Sequence, residues 1–245
     1  MPSLKFVLVA VLCLGAFAFL QAGPIDPPSG PIAPTGRFGP KTDILSLLGT
    51  TGVTHQITQS GSYYLSQDLV VTDSAIRIQA PHVTIDLNGF SIIGDGVSGS
   101  GIGFGAAANG GAVVIKNGKI MNFGSQGIPV SATLEQIVLE DLMVLDCAGQ
   151  GINLNSVPAR LNNVIANNNG VNGIRSTGRA LITNCMTLGN GVNGISATGG
   201  AVVSNCTALD NITADLSVTN GLISECVATN ITASGGTTTV NSHQP

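Results

Sequence analysis

The chain of 245 residues has little charge and few aromatic side chains. Asp, Glu, Lys and Arg make up 9% of it, aromatic residues make up 4%, and tryptophan is absent. A soluble domain usually carries about 25% charged residues. Helical bundles and coiled coils are disfavoured, because their helices need Glu, Lys and Arg in bulk. Nucleic-acid binding is also disfavoured, because 9 basic residues against 13 acidic ones leave no basic surface to offset phosphate charge.

Apolar residues and glycine take the place of the missing charge. Hydrophobic residues make up 43% of the chain, which also contains 33 glycines. Disordered chains are charged and poor in apolar residues, so this composition excludes disorder. The length suits one all-β domain of about 200–250 residues.

The first 22 residues predict a secretory signal peptide. Lys5 precedes an apolar run, and cleavage after Ala18 or Ala22 would follow the small-residue rule. A membrane anchor is the alternative, but the apolar run is shorter than the about 20 residues that a spanning helix needs. We therefore expect a protein that is secreted, periplasmic or attached to the cell surface.

Internal repeats dominate the chain from about residue 83. A Gly-Ile pair recurs every 21 to 26 residues, starting at Gly101, Gly127, Gly151, Gly173 and Gly194. Three further columns keep the same register. One holds Asn88, Asn117, Asp141, Asn163, Asn184, Asn205 and Glu225; the next holds Leu142, Val164, Cys185, Cys206 and Cys226; the last holds Cys147, Asn169, Asn190 and Asn211.

These repeats predict an all-β fold, a single-stranded right-handed parallel β-helix (a solenoid) of about seven coils with a short N-terminal cap. Segments such as Val83–Leu87 alternate apolar and polar residues as half-buried strands do. Three short strands and three turns fill one repeat, and equivalent side chains stack at about 4.8 Å in successive coils. Leucine-rich repeats have a similar period, but their L-x-x-L-x-L frame is missing.

The domain boundaries follow from this pattern. Asp43 is placed to cap a short helix over Ile44 to Leu48 at the start of the fold. We divide the chain into a signal peptide (1–22), a Pro- and Gly-rich linker (23–42), an N-terminal cap with the first strands (43–82), the β-helix repeats (83–226), and a final partial coil with a tail (227–245).

The stacked polar columns predict structural ladders. Asparagines in inward turns can hydrogen-bond to their copies and to the turn backbone, and we assign this role to Asn163, Asn184, Asn205, Asn169, Asn190 and Asn211. We interpret Cys185, Cys206 and Cys226 as a column of buried thiols. A disulfide between coils or a zinc site is the less favoured alternative, because parallel Cβ vectors do not suit the disulfide torsion and no histidine is near.

Two segments resemble a known family. Gly61-Ser62-Tyr63-Tyr64-Leu65 and Val83-Thr84-Ile85-Asp86-Leu87-Asn88-Gly89-Phe90 resemble exported bacterial proteins with right-handed parallel β-helix repeats. The later Gly-Ile and Asn-Cys units look like the pectate-lyase-like repeat. This resemblance implies the fold, but the superfamily contains lyases, hydrolases, adhesins and phage tailspikes.

The residues that serve catalysis in that superfamily have no counterparts here. Its lyases hold Ca²⁺ with Asp side chains and use Arg or Lys as the base, and its hydrolases use two or three Asp with a nearby His and an Arg-x-Lys. The chain lacks an Asp-Asp pair and an Arg-x-Lys, and its three histidines, His55, His82 and His243, lie outside the central coils. No catalytic role is carried over.

Local charge supplies the remaining candidates. Glu140, Asp146 and Lys116 are the candidate catalytic residues, although a stacked Glu–Lys pair is by default a solvated cross-strand pair. Arg160, Arg175 and Arg179 are the candidate binding residues for an anionic sugar, with plain surface charge as the alternative. We expect no metal site and no cofactor, with Ca²⁺ considered only if the protein is a lyase.

The sequence thus favours an exported, non-catalytic β-helix that serves as a structural or glycan-binding module at a surface. The alternative is a divergent polysaccharide lyase or glycoside hydrolase with a groove along the β-helix. Expected partners are a polysaccharide or a cell-surface component. An open strand edge at the last coil would also permit self-association.

Overall fold

The computed structural model describes residues 41–243, so the predicted signal peptide and nearly all of the predicted linker lie outside the described residues. Two short 3-10 helices occur, Ile44–Ser46 and Ala106–Ala108. The strands are β1 (Thr42–Asp43), β2 (Val53–Ile57), β3 (Gly61–Tyr64), β4 (Leu69–Val70), β5 (Ser74–Ile78), β6 (Val83–Asp86), β7 (Ser91–Ile93), β8 (Ile102–Phe104), β9 (Ala112–Met121), β10 (Ile128–Pro129), β11 (Gln136–Leu145), β12 (Ile152–Asn153), β13 (Ala159–Asn167), β14 (Ile174–Ser176), β15 (Ala180–Thr183), β16 (Met186–Leu188), β17 (Asn193–Ala197), β18 (Val202–Ser204), β19 (Thr207–Leu209), β20 (Ala214–Thr219), β21 (Leu222–Ser224), β22 (Val227–Ala228), β23 (Ile231–Ser234) and β24 (Thr238–Val240).

The strands form three faces of one parallel β-solenoid. Face 1 follows the order β1-β3-β6-β9-β11-β13-β15-β18-β21-β24. Face 2 contains β4, β7, the second halves of β9, β11 and β13, and then β16, β19 and β22. Face 3 consists of β2-β5-β8 followed by β10-β12-β14-β17-β20-β23. All strand pairs between coils are parallel, so the predicted all-β parallel solenoid is confirmed.

The solenoid has about eight turns, against about seven predicted. The stacked strands begin at Thr42, where the Gly-Ile and Asn columns that mark the later coils are not yet present. At this end Asp43 caps the first 3-10 helix, because its Oδ1 accepts a hydrogen bond from the Leu45 amide at 3.1 Å. The helix ends at Ser46, and Ile44 is fully buried against the first coil.

Stacked aliphatic side chains fill the interior. On face 1 each inward side chain lies in register with its copies in the neighbouring coils, and all of the following are completely buried: Ile85, Ile115, Leu139, Leu161, Ile182, Val203 and Ile223. Such burial contributes about 1.5–3 kcal/mol for each side chain of this size. Outward residues alternate with inward ones, as the sequence pattern predicts.

The glycine that recurs at the start of the face 3 strands from β8 to β17 has a steric cause. A Cβ atom at Gly151 would lie 2.8 Å from the Gly173 carbonyl oxygen, and a Cβ atom at Gly173 would lie 2.8 Å from the Gly194 oxygen. Side-chain amides of another column fill the same space. Asn169 Nδ2 lies 2.7 Å from the position that a Cβ atom would take at Gly151, and Asn190 Nδ2 lies 2.8 Å from the equivalent position at Gly173. The Gly column and the Asn column therefore interlock, and a side chain in one would displace the other.

This contact predicts a different cost for the same substitution at two glycines. Gly151→Ala should reduce the free energy of unfolding by about 1–3 kcal/mol, because the new methyl group overpacks a filled site. Gly103→Ala is the control, because nothing lies within 4 Å of its Cβ position and its stability should stay within about 0.5 kcal/mol of the wild type. Urea denaturation of the two variants measures both values, and equal losses would contradict the interlock.

Candidate functional site

The candidate catalytic residues do not form a cluster. Glu140 and Lys116 are register neighbours on face 1, but they make no ion pair, and in residues 41–243 the one ion pair joins Lys41 Nζ to Asp86 Oδ2 at 3.2 Å. Asp146 lies beyond the next corner, at the end of β11, with a φ of 54° and an exposed side chain. Asp146 is thus separated from Glu140 and Lys116 by the second half of β11, and the catalytic role of the three side chains stays a prediction.

Asp86, in the same column as Lys116, is occupied by structural bonds. Its Oδ1 accepts hydrogen bonds from the Asn88 amide and from Asn117 Nδ2, both at 3.1 Å. Burial alone would raise the pKa of this carboxyl, but the hydrogen bonds from Asn117, Asn88 and Lys41 outweigh it and lower the pKa. Asp86 thus stabilises the first corner of the repeats, and its carboxylate is occupied by structural hydrogen bonds.

The three candidate binding arginines belong to different elements of the solenoid. Arg160 is an exposed residue of face 1, Arg175 lies on face 3, and Arg179 lies in the exposed turn between β14 and β15. Arg175 is held in place, because its Nη1 donates to Asn153 Oδ1 at 3.1 Å and to Asn155 Oδ1 at 3.4 Å. The assignment of these three arginines to binding an anionic sugar stays a prediction, and Arg175 is the one whose side chain is hydrogen-bonded to its neighbours among residues 41–243.

The column at Asn169, Asn190 and Asn211 forms a continuous ladder, in which Asn169 and Asn190 are buried and Asn211 is partly exposed. Asn169 Nδ2 donates to Asn190 Oδ1 at 3.1 Å, and Asn190 Nδ2 donates to Asn211 Oδ1 at 2.9 Å. Each Oδ1 also accepts the backbone N–H of the preceding coil, at 3.0 Å in both cases. At the start of the ladder the Cys147 amide donates to Asn169 Oδ1 at 3.2 Å.

The ladder ends on a residue that sequence reasoning missed. Asp215 is 1% exposed, and its Oδ1 accepts from Asn211 Nδ2 at 2.8 Å. Its Oδ2 accepts from the amide and hydroxyl of Thr229 and from the Asn230 amide. Burial would raise the pKa of this carboxyl, but the bonds from Thr229, Asn211 and Asn230 lower it. The one signal in the sequence was that Asp215-Leu216 replaces Gly-Ile in the repeat.

The column at Asn163, Asn184 and Asn205 does not face inward, and this part of the ladder prediction is wrong. These side chains are exposed, and their backbones have φ values of 54°, 55° and 51°. Asn is selected there because it tolerates the left-handed conformation of an outward corner. Side chains at equivalent corners of adjacent coils hydrogen-bond to each other, and Asn163 Nδ2 donates to Asp141 Oδ1 at 2.7 Å.

The cysteines of the described region are free and buried. Cys206 and Cys226 each direct their Sγ to a carbonyl oxygen of their own coil, that of Ser204 at 3.2 Å and that of Ser224 at 3.3 Å. Hydrogen bonding with the neighbouring Cys185 thiol, together with burial, raises the pKa of Cys206 to about 12. Hydrogen bonding with Cys206 and burial also raise the pKa of Cys226, so Cys206 and Cys226 are protonated at neutral pH and pack as small buried apolar residues.

Two adjoining depressions lie along face 3 and the loops that follow its strands β10 and β12. The first, of about 180 Å³, is lined by Val53, Ser74, Ile76, Arg77, Ser100, Gly103, Phe104, Pro129 and Ser131. The second, of about 260 Å³, is lined by Val130, Ser131, Ala132, Thr133, Leu134, Asn155, Ser156, Val157 and Pro158. Ser131 belongs to both, and its hydroxyl donates to the Phe104 carbonyl at 2.9 Å.

A break in the hydrogen-bond ladder accounts for the position of the depressions. Between β8 and β10 the ladder of face 3 reaches the Ile102 amide, which donates to the Gly127 carbonyl at 2.9 Å, and breaks off beyond it. Pro129 lies at this interruption, and it has no N–H to donate to the preceding coil. Gly103, its neighbour across the gap, has no side chain to fill the space. Two sequence features that no motif would mark thus open the face.

Three further observations bound the site. Among residues 41–243 no group of three or more His, Cys, Asp or Glu side chains is arranged to hold a metal ion. Within the same residues no helix has the length and apolar character needed to span a membrane. Comparison with protein-family models, with curated proteins and with solved structures finds no match.

The buried carboxylate predicts how stability depends on pH. Asp215→Asn should reduce the free energy of unfolding by about 1–3 kcal/mol at pH 7, because an amide NH₂ would then face the donors of Thr229 and Asn211. A carboxyl whose pKa is lower when folded stabilises the fold above its unfolded value of about 3.9, and this contribution is lost as the pH falls through the folded pKa. The gap between wild type and variant should therefore narrow below about pH 4.

Asp210→Asn is the matched control. Asp210 is exposed at a corner with a φ of 57°, which Asn adopts readily. Chemical denaturation from pH 3 to 7 should give this control the wild-type stability. A gap for Asp215→Asn that stays constant down to pH 3 would show that Asp215 does not act as an ionised acceptor.

Proposed function

We propose that the protein is an exported, non-catalytic β-solenoid that binds a polar glycan chain through face 3. The export part of the proposal rests on the signal-peptide pattern of residues 1–22 and on the resemblance to exported β-helix repeat proteins. The binding part rests on the character of the two depressions. They supply the hydroxyl, amide and guanidinium groups with which a glycan chain can form hydrogen bonds.

The single observation that carries the proposal is a line of polar groups with an arginine near each end. Arg77 lines the first depression, Ser131 lies between the two, and Asn155 of the second depression is bonded to Arg175. Arg77 and Arg175 occupy the same outward column, about four coils or ~19 Å apart. A guanidinium has five N–H donors, and Arg175 uses Nη1 for its two bonds to Asn153 and Asn155.

Charge favours a glycan with some anionic groups. Each arginine stands on face 3 without an acidic partner within ion-pair distance among residues 41–243. A carboxylate or sulfate on the sugar would form charge-assisted hydrogen bonds, which are about twice as strong as neutral ones. The remaining contacts come from Ser74, Ser100 and Ser131, which suit sugar hydroxyls.

The enzyme alternative receives less support from the geometry. A carboxylate pair that hydrolyses glycosides has its members about 5–9 Å apart around the scissile bond. Glu140 and Asp146 stand on opposite sides of the Asp141 corner, and face 3 has no acidic residue among the residues that line its depressions. The proposed role is therefore binding without turnover.

A glycan array that includes neutral and uronate-containing polysaccharides tests this function. We expect binding that favours anionic chains, and Arg175→Ala should weaken it at least about tenfold, since one charge-assisted bond contributes about 1.5–3 kcal/mol. Arg77→Ala should have a similar effect. Calorimetric titration with the best ligand measures both losses.

Arg160→Ala is the control, because it removes the same charge from a different face and should change the affinity by no more than about twofold. An equal loss of affinity in Arg160→Ala would show that binding depends on the net charge of the protein and not on the arginines of face 3. Absence of binding to the whole panel would contradict the proposal. Release of unsaturated products or new reducing ends would contradict its non-catalytic part.

A further inference from the structure

Face 2 presents an apolar surface that the proposed glycan site does not use. Its outward side chains form two columns that run along the solenoid. The first column holds Ser91, Lys119, Met143, Ile165, Met186, Thr207 and Val227, and the second holds Val70, Ile93, Met121, Leu145, Asn167, Leu188 and Leu209. We call these two columns the methionine strip, because they contain every methionine of the chain except Met1.

The strip faces solvent along its length. Val70 is 72% exposed, Met186 38% and Val227 39%, and the other apolar members are partly exposed. On face 1 the outward column of Lys116, Glu140 and Asn162 is polar and the one beside it, with Val138, Leu181 and Val202, is largely apolar, whereas on face 2 both outward columns are largely apolar. Contiguous exposed apolar surface usually marks an interaction site, and methionine suits such sites because its side chain adapts to the partner.

Acidic residues flank the strip on both sides. One corner column beside it contains Asp141 and Glu225, and the other contains Asp146 and Asp210, all with exposed side chains. From Met143 onwards the strip itself carries no charge, and Lys119 at its start is its one basic residue. The partner surface should therefore be apolar in the middle and basic at its edges.

Charge and size select among the classes of partner. A second copy with its strip packed against this one would bring acidic borders together, which costs energy. A membrane with anionic headgroups would be repelled by the same borders. Each column extends about 29 Å over six coil steps of about 4.8 Å, and the two columns lie on one narrow face. A helix of about 20 residues is ~30 Å long and about 10 Å wide, which matches this strip.

We propose that the methionine strip docks a cationic amphipathic helix of a partner protein. The apolar stripe of that helix packs along the two columns, with anchors at i, i+3, i+4 and i+7. Its flanking Lys or Arg side chains extend over the strip and place their charges beside Asp146 and Asp210 on one border and Asp141 and Glu225 on the other. This interaction is independent of the glycan site, because it uses a different face.

A synthetic 20-residue helix with leucines on one face and lysines on the other is the probe. Fluorescence anisotropy of the labelled peptide with the full chain should give saturable binding that weakens as salt rises, because exposed charges are screened. Met186→Lys should weaken binding at least about tenfold. Leu181→Lys is the matched control, since Leu181 is 42% exposed in the same coil but lies on face 1, and it should change binding by no more than about twofold.

The double variant Asp146→Asn and Asp210→Asn tests one acidic border without disturbing the fold, because Asn adopts the positive φ of both residues. It should weaken the peptide several-fold and flatten the salt dependence, and Glu140→Gln on face 1 should do neither. This arm keeps the test decisive if Met186→Lys fails to fold.

Four outcomes would overturn the proposal. One is equal loss in Met186→Lys and Leu181→Lys, and another is equal binding of a peptide in which glutamates replace the lysines. A third is concentration-dependent mass in light scattering that Met186→Lys abolishes, which would assign the strip to a second copy. The fourth is flotation with phosphatidylserine vesicles that the same variant abolishes, which would assign it to a membrane.

Discussion

Parallel stacking of the coils, with each position standing about 4.8 Å from its own copies, is the constraint on which the rest of the structure depends. A side chain that suits one coil is repeated only if it tolerates itself as a neighbour. Aliphatic side chains pack on their copies and asparagines bond to theirs, but like charges at this spacing repel. The charged fraction of 9% follows from this constraint. It also means that a departure from a column, such as Asp215 or Arg175, stands out as a place with a special role.

One ladder of asparagine side chains supplies hydrogen bonds to polar groups in the interior. The glycine column makes room for the amides of Asn169 and Asn190, and these amides in turn satisfy backbone groups at the turns. A ladder must end, and Asp215 ends it because a carboxylate only accepts hydrogen bonds. An asparagine there would present its own donors to those of Thr229 and Asn230.

The sequence predicted the repeat, the parallel stack and the inward ladder at Asn169, because Gly-Ile and Asn positions that recur with one period are typical of stacked coils. It misassigned Asn163, Asn184 and Asn205, because an inward ladder and a left-handed outward corner both select asparagine. It could not foresee the depressions, since Pro129 and Gly103 interrupt no motif. The methionine strip could not be predicted from the sequence either. Alternation of side chains shows which residues of one strand point outward, but only the positions of the corners show which outward columns lie next to each other.

Hydrogen exchange of the ladder amides tests the stacking account most directly. The amides of Cys147, Asn169 and Asn190 donate to Oδ1 of an asparagine one coil further on, at 3.2, 3.0 and 3.0 Å. Val97 offers the comparison, because its amide donates to Asp95 Oδ1 at 2.8 Å in an exposed loop. If the ladder unites the coils, the three ladder amides should exchange only through large-scale unfolding, orders of magnitude more slowly than Val97. Exchange of the ladder amides at the rate of the loop amide would contradict the account.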